Sequence, residues 1–155
     1  MIDKVIKRAN LKSKIKRMPA KDIYHDTVKN ALIKDGWTIT HDPLRLSIDD
    51  KNLFIDLGAE RIIAAIKGEQ KIAVEIKSFV GRSEVDDLEN AVGQFVLYQD
   101  LLEEEEPERE LFLAIRRKAF DGIFSHRIGD ILLRKKRINL LVFDEKDEEI
   151  VQWIS

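Results

Sequence analysis

The chain has 155 residues, 44% of them apolar and 36% charged, which is enough to bury a single core beneath a heavily charged surface. It contains no cysteine, so disulfide frameworks and thiolate zinc sites are excluded. No apolar run approaches the roughly 18 residues of a membrane span, and a cytoplasmic protein without membrane contact is expected.

The net charge of −2 conceals an asymmetry. Residues 1–21 carry eight Lys or Arg against one acid, Asp3, leaving nineteen basic and twenty-eight acidic residues, a net of −9, for the remainder. A basic arm on an acidic body is a common nucleic-acid tail. Met18-Pro19-Ala20-Lys21 also reads as a natural start. Residues 1–17 are therefore expected to be a basic extension, either a functional arm or a disordered or dispensable piece ahead of a misplaced start. The domain proper is 18–155.

Asp22 is placed to cap a helix over about 23–35, with Ile23, Val28, Ala31 and Leu32 on one stripe and Gly36 as the stop. Trp37–Thr40 alternates like a strand, Asp42-Pro43 turns the chain, and Leu44–Ile48 alternates again. Asn52–Leu57 follows a second turn. Arg61–Lys67 and Lys71–Phe79 are β-rich runs around Gly68-Glu69-Gln70, the pattern of a hairpin. Glu84–Glu105 carries Val85, Leu88, Val92, Phe95 and Leu102 at helical spacing and ends in an acidic run before Pro107. Leu111–Ile115 suits a strand buried on both faces. Arg116–Arg137 reads as helical, with interruptions near Gly122 and Gly129. Ile138–Phe143 and Glu149–Ile154 are further strands joined by a turn at 144–148. The order αβββββαβαββ predicts an α/β protein, a single mixed-sheet domain flanked by helices.

One segment carries a candidate chemistry. In the strand Lys71–Phe79, Ile72, Val74 and Ile76 share one face, while Ala73, Glu75 and Lys77 share the other. Glu75 and Lys77 are then about 6–7 Å apart along the strand. An ordinary solvent face with a charge pair shows the same pattern. Asp56 lies at the end of the apolar stretch Leu53-Phe54-Ile55, where it is either a turn residue near Gly58 or a second functional carboxylate. If strands 52–57 and 71–79 are neighbours, Asp56 and Glu75 converge, and two close carboxylates favour a cation between them. Oxygen-only ligation of this kind suits Mg²⁺ or Mn²⁺. Lys77 is then positioned to stabilise charge developing on a phosphate, which supports metal-assisted phosphodiester hydrolysis.

Ile55-Asp56, nineteen intervening residues and Glu75-Ile76-Lys77, following a helix that ends at Gly36-Trp37, resemble the PD-(D/E)XK nuclease core. Gln94 and Tyr98, spaced i,i+4 on the next helix, are similar to the glutamine-bearing helix of Holliday-junction-resolvase-like members. The resemblance implies a restriction-endonuclease-like fold with metal at Asp56 and Glu75, the backbone carbonyl of Ile76 as a further ligand, a catalytic Lys77 and a site role for Gln94. Two positions depart from the superfamily: its proline is Ile55 here, and the glutamate often supplied by the first helix is replaced by His25. His25 shares a face with Val28 and Leu32, and is either a ligand or proton carrier at the site or a partly buried polar residue at the helix start.

More closely, the stretches Tyr24–Trp37, Ile55–Glu60, Lys71–Phe79, Gly93-Gln94-Phe95 and Glu149–Ile154 resemble the XisH family, from about Met18 to the C-terminus. That family is named as a controlling factor for excision of the fdxN element in cyanobacteria, beside a recombinase and a companion, XisI. The resemblance implies a DNA-associated role in recombination, with DNA and an XisI-like protein as partners and a homodimer left open. Two readings follow: a divalent-metal endonuclease, or a non-catalytic nuclease-fold module that binds a partner. Arg116-Arg117-Lys118 and Arg134–Arg137 can grip phosphates, or can be capping and solvated charge. The acidic body and the run Glu103–Glu106 weigh against strong non-specific DNA binding.

Overall fold

Alternating apolar residues in the middle of the chain give strands with two buried faces, and helices from the flanking segments cover both. The computed structural model describes residues 23–47, 54–55 and 62–155. Among these residues, β1 (Thr38–His41), β4 (Ile62–Lys67), β5 (Gln70–Ile76), β6 (Arg109–Arg116), β7 (Leu140–Asp144) and β8 (Glu149–Ile154) form one sheet in the order β1-β4-β5-β6-β7-β8. The pairs β5–β6 and β6–β7 are parallel, and the others are antiparallel. A separate two-stranded ribbon pairs β2 (Leu46–Ser47) with β3 (Phe54–Ile55). The helices are α1 (His25–Lys34), α2 (Glu84–Glu105), α3 (Arg117–Ile123) and α4 (Arg127–Arg134).

The period-two pattern of the strands sorts the core into two clusters. Ile63, Ala65, Ile72, Val74, Ile76, Phe112, Ala114, Leu141 and Phe143 pack on one side against Val28 and Leu32 of α1 and Trp37. On the other side Ile62, Ala64, Ala73, Leu111, Leu113, Ile115, Leu140 and Val142 meet Leu88, Ala91, Phe95, Tyr98 and Leu102 of α2, with Ala119, Ile123 and Phe124 from around α3. A mixed sheet flanked by helices is therefore the observed class.

Local chemistry sets the element ends. The β4–β5 hairpin pairs Lys67 with Gln70, so its loop is the two residues Gly68-Glu69, and Gly68 takes a φ of 61° at the first loop position as such tight loops require. Ser83 caps α2 by accepting a hydrogen bond from the Asp86 N–H at 3.3 Å, and Glu84, Asp86 and Asp87 complement the helix dipole in the first turn.

Several boundaries differ from expectation. α1 begins at His25 after Tyr24, and Ile23 is exposed outside the stripe; the expected cap, Asp22, lies outside the described residues. On α2, Val85 faces solvent and Tyr98 takes a place in the core. Residues 116–137 form two helices with the break at 124–126, where Gly129 permits close approach: a Cβ there would sit 2.5 Å from the Ile123 carbonyl oxygen.

Candidate functional site

In β5 the residues alternate between the two clusters, which sends Glu75 to the α2 side with Ala73 while Ile76 joins the α1 side. Glu75 stands opposite Ile62 of β4 and Leu113 of β6 and is 0% exposed. A solvent-facing charge pair is therefore the wrong description of this segment. Carboxylates are almost never fully buried without a compensating interaction, so this position is an unusual one for a glutamate.

Lys77 continues the same face just past the strand end, and its N–H still donates to the Ala114 carbonyl at 3.0 Å. Its half-buried ammonium donates to Gln94 Oε1 at 3.2 Å. Gln94 sits on the flank of the buried face of α2, and Tyr98, one turn further on, is buried in the α2-side cluster. The structure thus brings Glu75 and Lys77 to one face of β5 and joins Lys77 to Gln94. The side chain of Ile76 is committed to the opposite core, leaving only its backbone carbonyl for a ligand.

Asp56 lies outside the described residues. The chain from Asp56 to Ile62, which faces Glu75, is six residues and spans at most about 20 Å when extended. The expectation that the strand ending at Asp56 lies beside β5 is not met in the sheet. β5 is flanked by β4 and β6, and β3 pairs with β2, because the hairpin partner and the parallel crossover take both edges of β5. Among the described residues, no group of three or more His, Asp or Glu side chains is arranged to hold a metal ion.

His25 belongs to a different cluster. It is 1% exposed at the start of α1, whose core residues pack on the face opposite Glu75. Its Nε2 lies 2.8 Å from Asp42 Oδ1, and the Lys29 ammonium donates to Asp42 Oδ2 at 2.8 Å. Burial pushes the Asp42 carboxyl up, but the hydrogen bonds from Lys29 and His25, with their charges, outweigh it and hold the group below the ordinary carboxylate range. Sequence reading took Asp42 only as a turn residue. The available signal was His25 and Lys29 at i,i+4 on α1, two donors on one helical face needing an acceptor.

The carboxyl ends of the parallel strands β5, β6 and β7 lie at one edge of the sheet, the usual place for a site in an open α/β fold. Lys77 is there. So is Arg116, which donates to the Tyr24 hydroxyl at 3.3 Å, and Arg117, 3.8 Å from Asp144. The Asp147 backbone N–H holds the Asp144 carboxyl below its usual range against the opposing effect of burial, assisted by the Lys146 N–H and Arg117. Lys118 and Lys135–Arg137 are exposed.

The arrangement defines an open mixed α/β sheet domain with a buried carboxylate and a tethered lysine at the carboxyl edge of a central strand. A family model described as XisH protein matches residues 18–151. The chain belongs to the XisH family. It is 36% identical to an XisH family protein from Nostoc punctiforme PCC 73102, with 86% of this chain and 100% of that one covered and a TM-score of 0.78. It is 37% identical to a fdxN element excision controlling factor protein from Anabaena variabilis, with coverages of 86% and 99% and a TM-score of 0.77. No curated protein matches the chain.

Proposed function

We propose that the chain acts on DNA during programmed excision of a DNA element, through a divalent-metal phosphodiesterase site of the PD-(D/E)XK type. The observation that carries this reading is the Glu75 carboxylate, wholly buried on a central strand and two residues from a lysine held by Gln94. The likeness to a fdxN element excision controlling factor supports the DNA context.

The donor chemistry fits Mg²⁺ or Mn²⁺. Glu75, the Ile76 carbonyl and Asp56 are all hard oxygen donors, and Mg²⁺ takes one or two carboxylates while keeping several waters. When bound, such an ion supplies charge neutralisation on a phosphate and a more acidic water. The remaining work falls to the chain. Lys77 places its ammonium against the non-bridging oxygens, where negative charge grows as the attacking oxygen adds. Gln94 fixes the direction of that ammonium, so little reorganisation is needed at the moment of reaction. Arg117, Lys118 and the basic residues 1–17 supply sequence-independent phosphate contacts.

The test is nicking of supercoiled and branched DNA in Mg²⁺ or Mn²⁺, comparing the parent with Glu75→Gln. The reading expects metal-dependent nicking that Glu75→Gln abolishes. No nicking on any substrate, with folding intact, sinks it. A second reading, a nuclease-fold module that binds a protein partner without cutting, is favoured by α2, whose 22 residues include eight acids and no base. Such a helix repels DNA.

A further inference from the structure

The helix layer on the Glu75 side of the sheet carries two opposite charges. α2 has eight acids and no base in 22 residues. Residues 127–137, which hold α4 and its exit, have five exposed bases, Arg127, Arg134, Lys135, Lys136 and Arg137, against Asp130 alone. Both helices lie on one side of the sheet, because Leu88, Phe95 and Leu102 of α2 and Leu132 and Leu133 of α4 pack into the same cluster. Among the described residues no acid of α2 makes an ion pair, and of the five bases only Arg134 does, with Asp130 at 2.8 Å.

Apolar side chains accompany these charges. Val85, Val96 and Leu97 of α2 are exposed by 41%, 48% and 53%, Ile128 of α4 is exposed by 43%, and Ile131 is half-buried. Helical spacing puts Leu97 beside Asp100, and Ile131 beside Arg127 and Arg134, on the sides away from the core. A polyanion laid along α4 would run onto the acids of α2, and a purely basic partner would meet the bases of α4. An occupant that satisfies both halves presents an acidic and a basic helix side by side, with apolar residues among the charges. A second copy of this chain presents that surface, and a two-fold axis running between the helices lays each α2 on the other copy's α4. Each copy contributes a patch about 20 Å by 30 Å, two helix diameters by the length of α2. That makes roughly 1,200 Å² in all, the low end of specific interfaces.

We propose that the chain forms a two-fold dimer through this helix layer, with α2 of each copy on α4 of the other. Val96 and Leu97 meet Ile128 and Ile131, and the acids around Asp100 meet Arg127 and Arg134. The dimer stands independently of any cut made in DNA.

A charge swap followed by sedimentation equilibrium of the full chain tests it. One variant carries Glu89→Lys and Asp100→Lys, the other Arg127→Glu and Arg134→Glu, all at exposed positions, with folding checked by thermal melting. The parent should dimerise with a Kd of roughly 1–100 μM in about 0.1 M salt, and several-fold more weakly in about 0.5 M. Each variant alone sets like charges against each other at both helix contacts, so its self-association should fall at least about ten-fold. An equimolar mixture should regain a 1:1 dimer, because both contacts are then complementary. A parent that stays monomeric to about 500 μM, a dimer that survives either variant, or a mixture of folded variants that does not pair overturns the proposal. A monomeric parent whose DNA binding is weakened by Arg127→Glu/Arg134→Glu assigns the bases of α4 to DNA, and also overturns it.

Discussion

Replacing Asp42 with alanine removes two contacts of different worth. The first is the 2.8 Å contact to His25 Nε2, and His25 is 1% exposed, so its ring nitrogen is left buried without that partner. Stranding a buried polar group costs about 1–3 kcal/mol. The second is the 2.8 Å contact to Lys29, whose ammonium can turn to water, and such pairs contribute about 0.2–1 kcal/mol. The expected loss is about 1–4 kcal/mol at neutral pH, or roughly 2–4 °C in Tm per kcal/mol for a chain of this size. The sign of the pH dependence follows from the lowered folded-state pKa of Asp42. A depressed carboxyl contributes stability that is fully present above its unfolded value, near 3.9, and is lost as pH falls through the folded value. Urea unfolding of the parent and Asp42→Ala should therefore show a gap at pH 7 that narrows below about pH 4. A loss under about 0.5 kcal/mol at pH 7, or a gap that does not narrow in acid, would refute the reasoning.

Lys77→Ala is expected to lower nicking by about 10²–10³ while leaving Tm within about 1 °C, because the half-buried ammonium acts on transition-state charge and not on the core; undiminished nicking removes Lys77 from the reaction altogether. Gly129→Ala should destabilise the fold by about 1–3 kcal/mol, since the new methyl meets the Ile123 carbonyl oxygen at 2.5 Å and Phe124 Cα at 2.6 Å. Gly93→Ala meets nothing within 4 Å on an exposed helical turn and should stabilise by up to about 1 kcal/mol; thermal melts of the two variants moving in the same direction would contradict the packing described.

The sheet was legible where residue pattern and burial agree. The hairpin around Gly68, the span Glu84–Glu105 and the opposite faces of Val74 and Glu75 all follow from period and turn chemistry. Strand neighbours were not legible. Pairing of 52–57 with 71–79 is the condition for Asp56 and Glu75 to converge on adjacent strands, and nothing in the two segments fixes it, whereas the hairpin and the β5–β6 crossover decide who flanks β5. The burial of Glu75 could not be read either, because a carboxylate at a strand position looks the same on a solvent face and beneath a helix. Arg109 was missed for a similar reason. Its guanidinium donates to the Ile72 carbonyl and to Glu106, both at 2.9 Å, a contact made through the parallel register of β5 and β6.

The central claim is that Glu75 helps to hold a divalent cation, and Mn²⁺ titration followed by electron paramagnetic resonance tests it most directly. The expected result is saturable loss of the free-ion signal at one ion per chain in the parent and in Lys77→Ala. That binding should disappear in Glu75→Gln and in Asp56→Asn, since each variant removes one of the one or two carboxylates such an ion takes. Binding of equal affinity in the parent and in Glu75→Gln, or no saturable binding in the folded parent, would contradict the account.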